Sequence, residues 1–328
     1  MGTAFGRRPV VSTLATLAMP FPASAQAAPH LRPEDTLGAL LDNPAFAGFA
    51  PLLLPWDDRR PDRDMPLSAM ASLMPYHSRV DPAEAVAALN RMIDDVNAGR
   101  RVFLDIYDAE QKRADPAKAH TGLFFFRGRP GTSFAAVCPG GGFSYVGSLH
   151  EGFPYAAAIS AMGRNAFVVR YRPGSGERAA TDDLAAALGT IFREANALGV
   201  GTAGYSLWGS SAGARMAANI GSHGTEAFGG GRLPGPATVV MAYTAHADRA
   251  AREPATFALV GEQDGIAPPA AMARRVAGLR EAGTPVEFHT YPGLGHGFGL
   301  GNGTAAQGWP AEAVRFWDAN TGRYGKPE

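Results

Sequence analysis

The chain has 328 residues, of which 46% are hydrophobic, and its 30 Lys and Arg residues balance 30 Asp and Glu residues. This zero net charge, without a basic tract, argues against nucleic acid or an anionic membrane surface as a partner. The single cysteine, Cys138, excludes an intramolecular disulfide, and no paired Cys or His spacing indicates structural zinc. We therefore expect no metal and no cofactor.

Residues 1–27 have the features of a signal peptide. An arginine pair, Arg7-Arg8, precedes a modest apolar stretch, and Ala25–Ala27 has the small-x-small pattern that signal peptidase cuts after. The pair also loosely fits a twin-arginine signal, and an uncleaved N-terminus is the alternative. We expect an exported protein, periplasmic or extracellular, without a membrane span in the mature chain.

Residues 28–80 are Pro-rich and weakly periodic, which indicates an N-terminal arm rather than a domain. A short helix is predicted at Pro33–Leu41. The segment Pro82–Val96 has apolar residues at helical spacing after Asp81, a suitable N-cap. Strands and helices alternate from there almost to the C-terminus, so we assign residues 81–328 to one α/β domain.

Eight short apolar segments predict strands. They are Arg101–Ile106, Gly122–Phe126, Phe134–Cys138, Ala166–Tyr171, Tyr205–Trp208, Ala237–Tyr243, Thr256–Val260 and Val286–Tyr291. Helical patterns between them fit Pro154–Met162, Thr181–Leu198, Ala212–Ile220, Pro269–Ala282 and Ala306–Trp317. The acids of Thr181-Asp182-Asp183 are expected to cap the second of these. The alternation predicts a mostly parallel sheet with helices on both faces, and functional residues in loops at the carboxyl ends of its strands.

The loop after the fifth strand contains a G-x-S-x-G sequence, Gly209–Gly213, between an apolar strand and a helix of small residues. This context is typical of a nucleophile elbow. Glycine is needed two residues to either side of the serine, because the tight turn crowds those α-carbons. Ser210 has Trp208 and Ala212 at these positions, so we predict Ser211 as the nucleophile.

Three glycines follow the third strand, within Pro139–Phe143. A backbone without side chains can approach a substrate closely, and N–H groups of such loops stabilise a developing oxyanion. We predict Gly141, Gly142 and Ala212 as the donors, and an ordinary Gly-rich turn is the alternative. The adjacent Cys138 is expected to be a buried core residue.

Asp264 follows the seventh strand, and His296 lies among glycines after the eighth. The order Ser, Asp, His suits a serine hydrolase built on such a sheet. Because His289 lies within a strand, we predict His296 as the base and Asp264 as the acid that orients it. Asp248 and Glu262 are competing acids; the first comes too early in the chain and the second is expected to be solvated.

These motifs resemble those of α/β-hydrolases, particularly bacterial esterases related to acetyl, acetylxylan and feruloyl esterases. Dienelactone hydrolase and prolyl-oligopeptidase catalytic domains are similar too. The resemblance covers about residues 101–317, and its motifs are Pro139–Phe143, His150–Pro154, Trp208–Gly213, Gly261–Asp264 and Gly295–Phe298. Pro139 stands where many hormone-sensitive-lipase relatives have histidine, which favours the acetyl-esterase-like group. The resemblance implies an eight-stranded α/β-hydrolase fold and serine esterase activity.

We predict a short acyl group, such as acetyl, on a carbohydrate or small alcohol, and an acyl-enzyme on Ser211. Phe143, Tyr145 and Phe298 flank the catalytic motifs and are expected to line the substrate pocket on its acyl side. A peptidase or lactone hydrolase with the same triad is the alternative, and a non-catalytic binding protein is a third hypothesis.

Two further motifs have competing interpretations. His150-Glu151 follows the glycine loop and either contacts substrate or has a structural role, in which Glu151 caps the helix at Pro154 or pairs with Arg170 or Arg172. Tyr76-His77, in the arm, either closes over the site or packs against the domain.

Overall fold

One eight-stranded sheet organises the computed structural model, which describes residues 1–2 and 27–323. The strands are β1 Phe103–Leu104, β2 Gly122–Phe126, β3 Ser133–Cys138, β4 Asn165–Arg170, β5 Gly201–Ser210, β6 Thr238–Ala242, β7 Ala255–Gly261 and β8 Val286–Tyr291. Their order is β1-β2-β4-β3-β5-β6-β7-β8. The β1–β2 and β2–β4 pairs are antiparallel and the remaining pairs are parallel. The predicted signal peptide lies, apart from its ends, outside the described residues.

Helices cover the sheet. They are α1 Leu37–Leu41, α2 Pro82–Asn97, α3 Ala109–Ala114, α4 Phe153–Ala161, α5 Gly176–Leu198, α6 Ala212–His223, α7 Pro269–Glu281 and α8 Trp309–Asn320. Helix α4 packs against both α2 and α8, and α5 packs against α6. Every residue of β2, β3, β4, β6 and β7 is buried, so both sheet faces are covered. The predicted fold class is confirmed. No helix among the described residues is long and apolar enough to cross a membrane.

The start of α5 differs from the prediction. The helix begins at Gly176, so Thr181-Asp182-Asp183 lies inside it and does not cap it. Asp183 is fully buried, where it accepts hydrogen bonds from the Tyr107 hydroxyl (2.7 Å) and the Arg172 backbone N–H (2.8 Å). A buried carboxylate needs such partners. The acid therefore fixes the loop after β4 instead of stabilising a helix end.

The arm, residues 28–80, packs into the same hydrophobic core as the sheet. Beyond α1 it contains short 3₁₀ turns at Pro44–Phe46, Ala50–Leu53 and Leu67–Leu73. Its fully buried apolar side chains include Leu37, Leu40, Phe46, Leu53, Leu67, Met70 and Met74. Two ion pairs with little or no solvent exposure join the arm to the domain, Asp57 with Arg170 and His77 with Glu151. Short turns have little periodicity, which is why the sequence pattern of this segment is weak.

Candidate active site

Ser211 lies at the sharp turn between β5 and α6. Its backbone has φ +51° and ψ −115°, a strained conformation for a residue with a side chain. A Cβ on Gly209 would lie 2.3 Å from the carbonyl oxygen of Gly213, and one on Gly213 would lie 1.9 Å from that of Cys138. The turn therefore requires both glycines, as the sequence predicts for an elbow at Ser211.

The structure brings Ser211, His296 and Asp264 together in one chain of hydrogen bonds. His296 Nε2 lies 2.8 Å from Ser211 Oγ, and His296 Nδ1 lies 2.8 Å from Asp264 Oδ2. The other oxygen of Asp264 accepts backbone N–H groups of Ile266 (2.9 Å) and Ala267 (2.7 Å). With the carboxylate so fixed, Nδ1–H donates to Asp264, and Nε2 is free to accept the serine proton.

The competing residues have other partners or face solvent. Ser210 is buried, and its Oγ lies 3.5 Å from the Tyr155 hydroxyl. The side chain of Asp248 pairs with that of His223 at 2.8 Å. His289 pairs with Glu287 at 2.8 Å, and Glu262 is exposed. Cys138 is fully buried at the end of β3, where burial raises the pKa of its thiol. Among the described residues no group of three or more His, Cys, Asp or Glu side chains is arranged to hold a metal.

The glycine loop after β3 packs directly against the nucleophile. A Cβ on Gly140 would lie 3.0 Å from the Cβ of Ser211. Gly141 and Gly142 have φ of +129° and +62°, and a Cβ on Gly141 would lie 2.1 Å from the carbonyl oxygen of Tyr145. Only glycine fits these positions without strain.

The three predicted oxyanion donors differ in their access to the pocket at Ser211. The backbone N–H groups of Gly141 and Gly142 have no acceptor among residues 27–323. Ala212 is the first residue of α6, so its N–H has no acceptor within the helix. Gly142 and Ala212 line the pocket at Ser211, whereas Gly141 is buried immediately behind it.

The pocket at Ser211 has a volume of about 190 Å³. Of the three predicted substrate contacts, only Phe143 lines it. Tyr145 and Phe298 are 0% and 1% exposed, which corrects their assignment. The tight turn at the glycine loop directs Tyr145 inward, because the N–H of Tyr145 donates to Gly141 O, and Phe298 packs against the ring of Tyr243.

Sequence reasoning missed the other residues that line this pocket, which are Arg215, Tyr243, Thr244, Ala245, Ile266 and Ala267. Ile266, two residues after Asp264, is 59% exposed at its edge. Arg215 lies one helical turn after Ser211 on α6 and pairs with Glu177 at 2.6 Å. The i, i+4 spacing from the nucleophile was the available signal for Arg215.

Glu151 lies behind the glycine loop and has none of the roles that were weighed for it. It is 0% exposed and so cannot contact substrate, Arg170 and Arg172 pair with other carboxylates, and no side chain caps α4. Its carboxylate accepts the N–H of Gly140 (2.8 Å) and the hydroxyl of Tyr243 (2.6 Å), and its Oε2 lies 3.0 Å from His77 Nε2. Burial alone would raise the pKa of Glu151, but the charge and hydrogen bond of His77 outweigh it and hold that pKa at about 2.

His150 is buried beside this network. Its Nε2 lies 3.0 Å from the carbonyl oxygen of Gly297, in the loop that carries His296. Burial, assisted by repulsion from His77, lowers the pKa of His150 to about 4. His150 is therefore neutral at pH 7 and donates a hydrogen bond to that loop.

A mostly parallel eight-stranded sheet with an elbow serine after β5, an acid after β7 and a histidine after β8 is the α/β-hydrolase fold. The chain has this fold, and its site has the residues and geometry of a serine hydrolase. A sequence model of the prolyl oligopeptidase family matches residues 235–323, which include Asp264 and His296. A search of curated proteins finds no significant match.

Several solved structures share the fold. An α/β hydrolase from a Medee basin deep-sea metagenome library has 24% identity and a TM-score of 0.53, over 62% of this chain and 93% of that one. An acetyl ester-xyloside bifunctional hydrolase from Caldicellulosiruptor lactoaceticus has 18% identity and a TM-score of 0.57, over 66% and 95%. A carboxylesterase from Lactobacillus plantarum has 18% identity and a TM-score of 0.54, over 63% and 95%.

Proposed function

We propose that the protein is a serine esterase that hydrolyses short-chain carboxylic esters of carbohydrates or small alcohols. The observation that carries the proposal is the hydrogen-bonded chain from Ser211 through His296 to Asp264, next to free backbone N–H groups. His296 accepts the Ser211 proton as Oγ attacks the ester carbonyl, and Asp264 stabilises the resulting imidazolium. The N–H groups of the glycine loop and Ala212 bind the oxyanion.

The attack forms a tetrahedral intermediate, and its collapse breaks the ester C–O bond. The alcohol leaves with the proton that His296 had taken, and the acyl group stays on Ser211. A water molecule then attacks the acyl-enzyme while His296 takes its proton. The carboxylic acid is released when that proton returns to Ser211 Oγ.

The size of the pocket supports a small acyl group. A volume of about 190 Å³, with Phe143 and Ile266 in the wall, leaves little room for a fatty chain. A long chain would leave methylenes in water, each forgoing about 0.8 kcal/mol of burial. The Caldicellulosiruptor protein is an acetyl ester-xyloside bifunctional hydrolase, and that description fits the proposed substrate class.

A peptidase is the second candidate, because the matched family model is that of prolyl oligopeptidase. The same triad cleaves amides when a site binds the peptide on both sides of the scissile bond. The deciding experiment compares kcat/KM on p-nitrophenyl acetate and acetylated sugars with kcat/KM on peptide p-nitroanilides, using the purified full chain. We expect turnover of the esters only. A higher kcat/KM on any peptide p-nitroanilide than on every ester would establish the peptidase instead.

We also propose that residues 1–27 direct export and are removed. Ala28, the predicted first residue of the mature chain, is buried, and its backbone N–H and C=O both bond to the side chain of Asn97 at 2.8 and 2.9 Å. The first residue of the predicted mature chain is therefore part of the packed fold. N-terminal sequencing of the protein from an exporting host should read from Ala28, and a start at the initiator methionine would refute cleavage.

A further inference from the structure

Three consecutive residues of the arm connect two loops of the candidate active site. The Tyr76 backbone N–H donates to the Tyr145 hydroxyl at 3.0 Å, and His77 Nδ1 lies 2.8 Å from the same oxygen. The N–H of Ser78 donates to the carbonyl oxygen of Gly297 (2.9 Å), and its hydroxyl donates to that of His296 (2.6 Å). The arm thereby contacts both the loop of the proposed oxyanion donors and the loop of the proposed base.

The contact between His77 and Glu151 is buried from both sides. The two side chains are 2% and 0% exposed, with their atoms 3.0 Å apart. A carboxylate in such surroundings needs hydrogen-bond donors, and His77 Nε2 reaches it from a segment far away in sequence. Removing either side chain would take a buried hydrogen-bond partner from the other.

Glu151 acts on the glycine loop at the point nearest the nucleophile. A Cβ on Gly140 would lie 2.7 Å from Glu151 Oε2 and 3.0 Å from Ser211 Cβ, so Gly140 is confined between the carboxylate and the serine. The Gly140 N–H is held by Glu151, while the next two N–H groups stay free. A displacement of the carboxylate would move these two donors relative to Ser211 Oγ.

We propose that Glu151 is a positioning residue that sets the oxyanion loop, and that His77 of the arm holds Glu151 in place, so that the arm completes the active site. This inference rests on the proposed esterase function and goes beyond it. If Glu151 served only as a buried partner of His77, its replacement would lower the stability of the fold. If it fixes the position of the glycine loop, its replacement weakens binding of the transition state.

The test uses the full chain and the variants Glu151→Gln, His77→Ala and their double variant. Asp57→Asn is the matched control, because Asp57 forms the other buried ion pair between arm and domain, with Arg170. We expect Glu151→Gln to lower kcat on p-nitrophenyl acetate roughly 10- to 100-fold, with KM changed less than about threefold, since oxyanion donors act on the transition state. Asp57→Asn should lower the melting temperature and leave kcat within about twofold.

The two residues should act as one unit. His77→Ala should lower kcat with little effect on KM, and the double variant should be no slower than Glu151→Gln alone. If His77→Ala does not fold, His77→Gln takes its place. Unchanged kcat in Glu151→Gln, additive losses in the double variant, or an equal loss of kcat in Asp57→Asn would each overturn the inference.

Phosphonylation of Ser211 separates this inference from the proposed function. A fluorophosphonate also builds negative charge on an oxygen in the oxyanion site, and its reaction needs no ester turnover. If the wild-type protein hydrolyses no ester but reacts with the reagent, the esterase proposal fails, while the phosphonylation rate constants still test Glu151. Equal rate constants in wild type and Glu151→Gln would then reject the positioning role.

Discussion

The ring of Tyr243 packs edge-on against the imidazole of His296, with ring centroids 5.1 Å apart. The hydroxyl of the same tyrosine donates to Glu151 at 2.6 Å and lies 2.8 Å from the Tyr155 hydroxyl. Tyr243 has a positive φ of +37° at the end of β6, a strained position for a bulky residue. One side chain thus supports the proposed base with its ring and the proposed oxyanion loop with its hydroxyl.

Tyr243→Phe should separate these two contributions. The ring stays against His296, but Glu151 loses one of its donors, so kcat on p-nitrophenyl acetate should fall roughly 5- to 50-fold, as small displacements of catalytic groups do. Tyr205→Phe is the control, because Tyr205 is also a buried tyrosine, and its hydroxyl donates to Pro234 O at 2.9 Å, outside the site. Equal kcat values in the two variants would show that the hydroxyl of Tyr243 does not matter for turnover.

Replacement of the two neighbouring serines should have opposite results. Ser211→Ala should lower ester turnover by a factor on the order of 10⁶, as loss of a nucleophile does in related triads. Ser210→Ala should retain most of it, because Ser210 Oγ is buried and makes only a long contact with Tyr155, at 3.5 Å. The measurements are kcat for each variant and the mapped site of a fluorophosphonate adduct. An adduct on Ser210, or loss of turnover on treatment with a chelator that zinc restores, would contradict the mechanism.

The stability of the fold should decrease in mild acid because of His150. Burial lowers its pKa from 6.5 to about 4, and His77 and Glu151 are its titratable neighbours. Below pH 6.5 the unfolded chain binds a proton that the folded protein does not. The unfolding free energy therefore falls as pH decreases from 6.5 to about 4, by roughly 3 kcal/mol from this residue.

Denaturant unfolding at several pH values tests this dependence. His150→Gln keeps a donor for Gly297 and removes the titration, so its unfolding free energy should vary less between pH 6.5 and 4 than that of the wild type. His30→Gln is the control, since His30 is about half exposed and pairs with Asp94 on the surface. Identical pH slopes for wild type and His150→Gln would contradict the assignment.

The sequence predicts those parts of the site that depend on local geometry. The requirement for Gly209 comes from a contact inside the elbow, with Gly213 O, and the bounds of β2 coincide with a short apolar run. The partner of Glu151 was beyond prediction, because His77 lies in a segment of short turns without periodicity. Tyr145 was misplaced for a related reason: its direction depends on the backbone of the glycine loop, which residue types alone do not specify.

The acyl chain of the substrate is the subject of the last prediction. The pocket of about 190 Å³ is bounded by Phe143 and Ile266, and no further predicted aromatic residue lines it, since Tyr145 and Phe298 support it from behind. Acetyl to butyryl groups fit within such a space, whereas an octanoyl chain must extend over the exposed edge, where its methylenes gain less than the roughly 0.8 kcal/mol each that full burial provides. Values of kcat/KM on p-nitrophenyl esters should therefore peak at acetate to butyrate and fall steeply by octanoate. Phe143→Ala should move the maximum to a longer chain, while Phe228→Ala, outside this pocket, should leave it in place. A wild-type maximum at octanoate or beyond would refute the short-chain assignment without touching the triad.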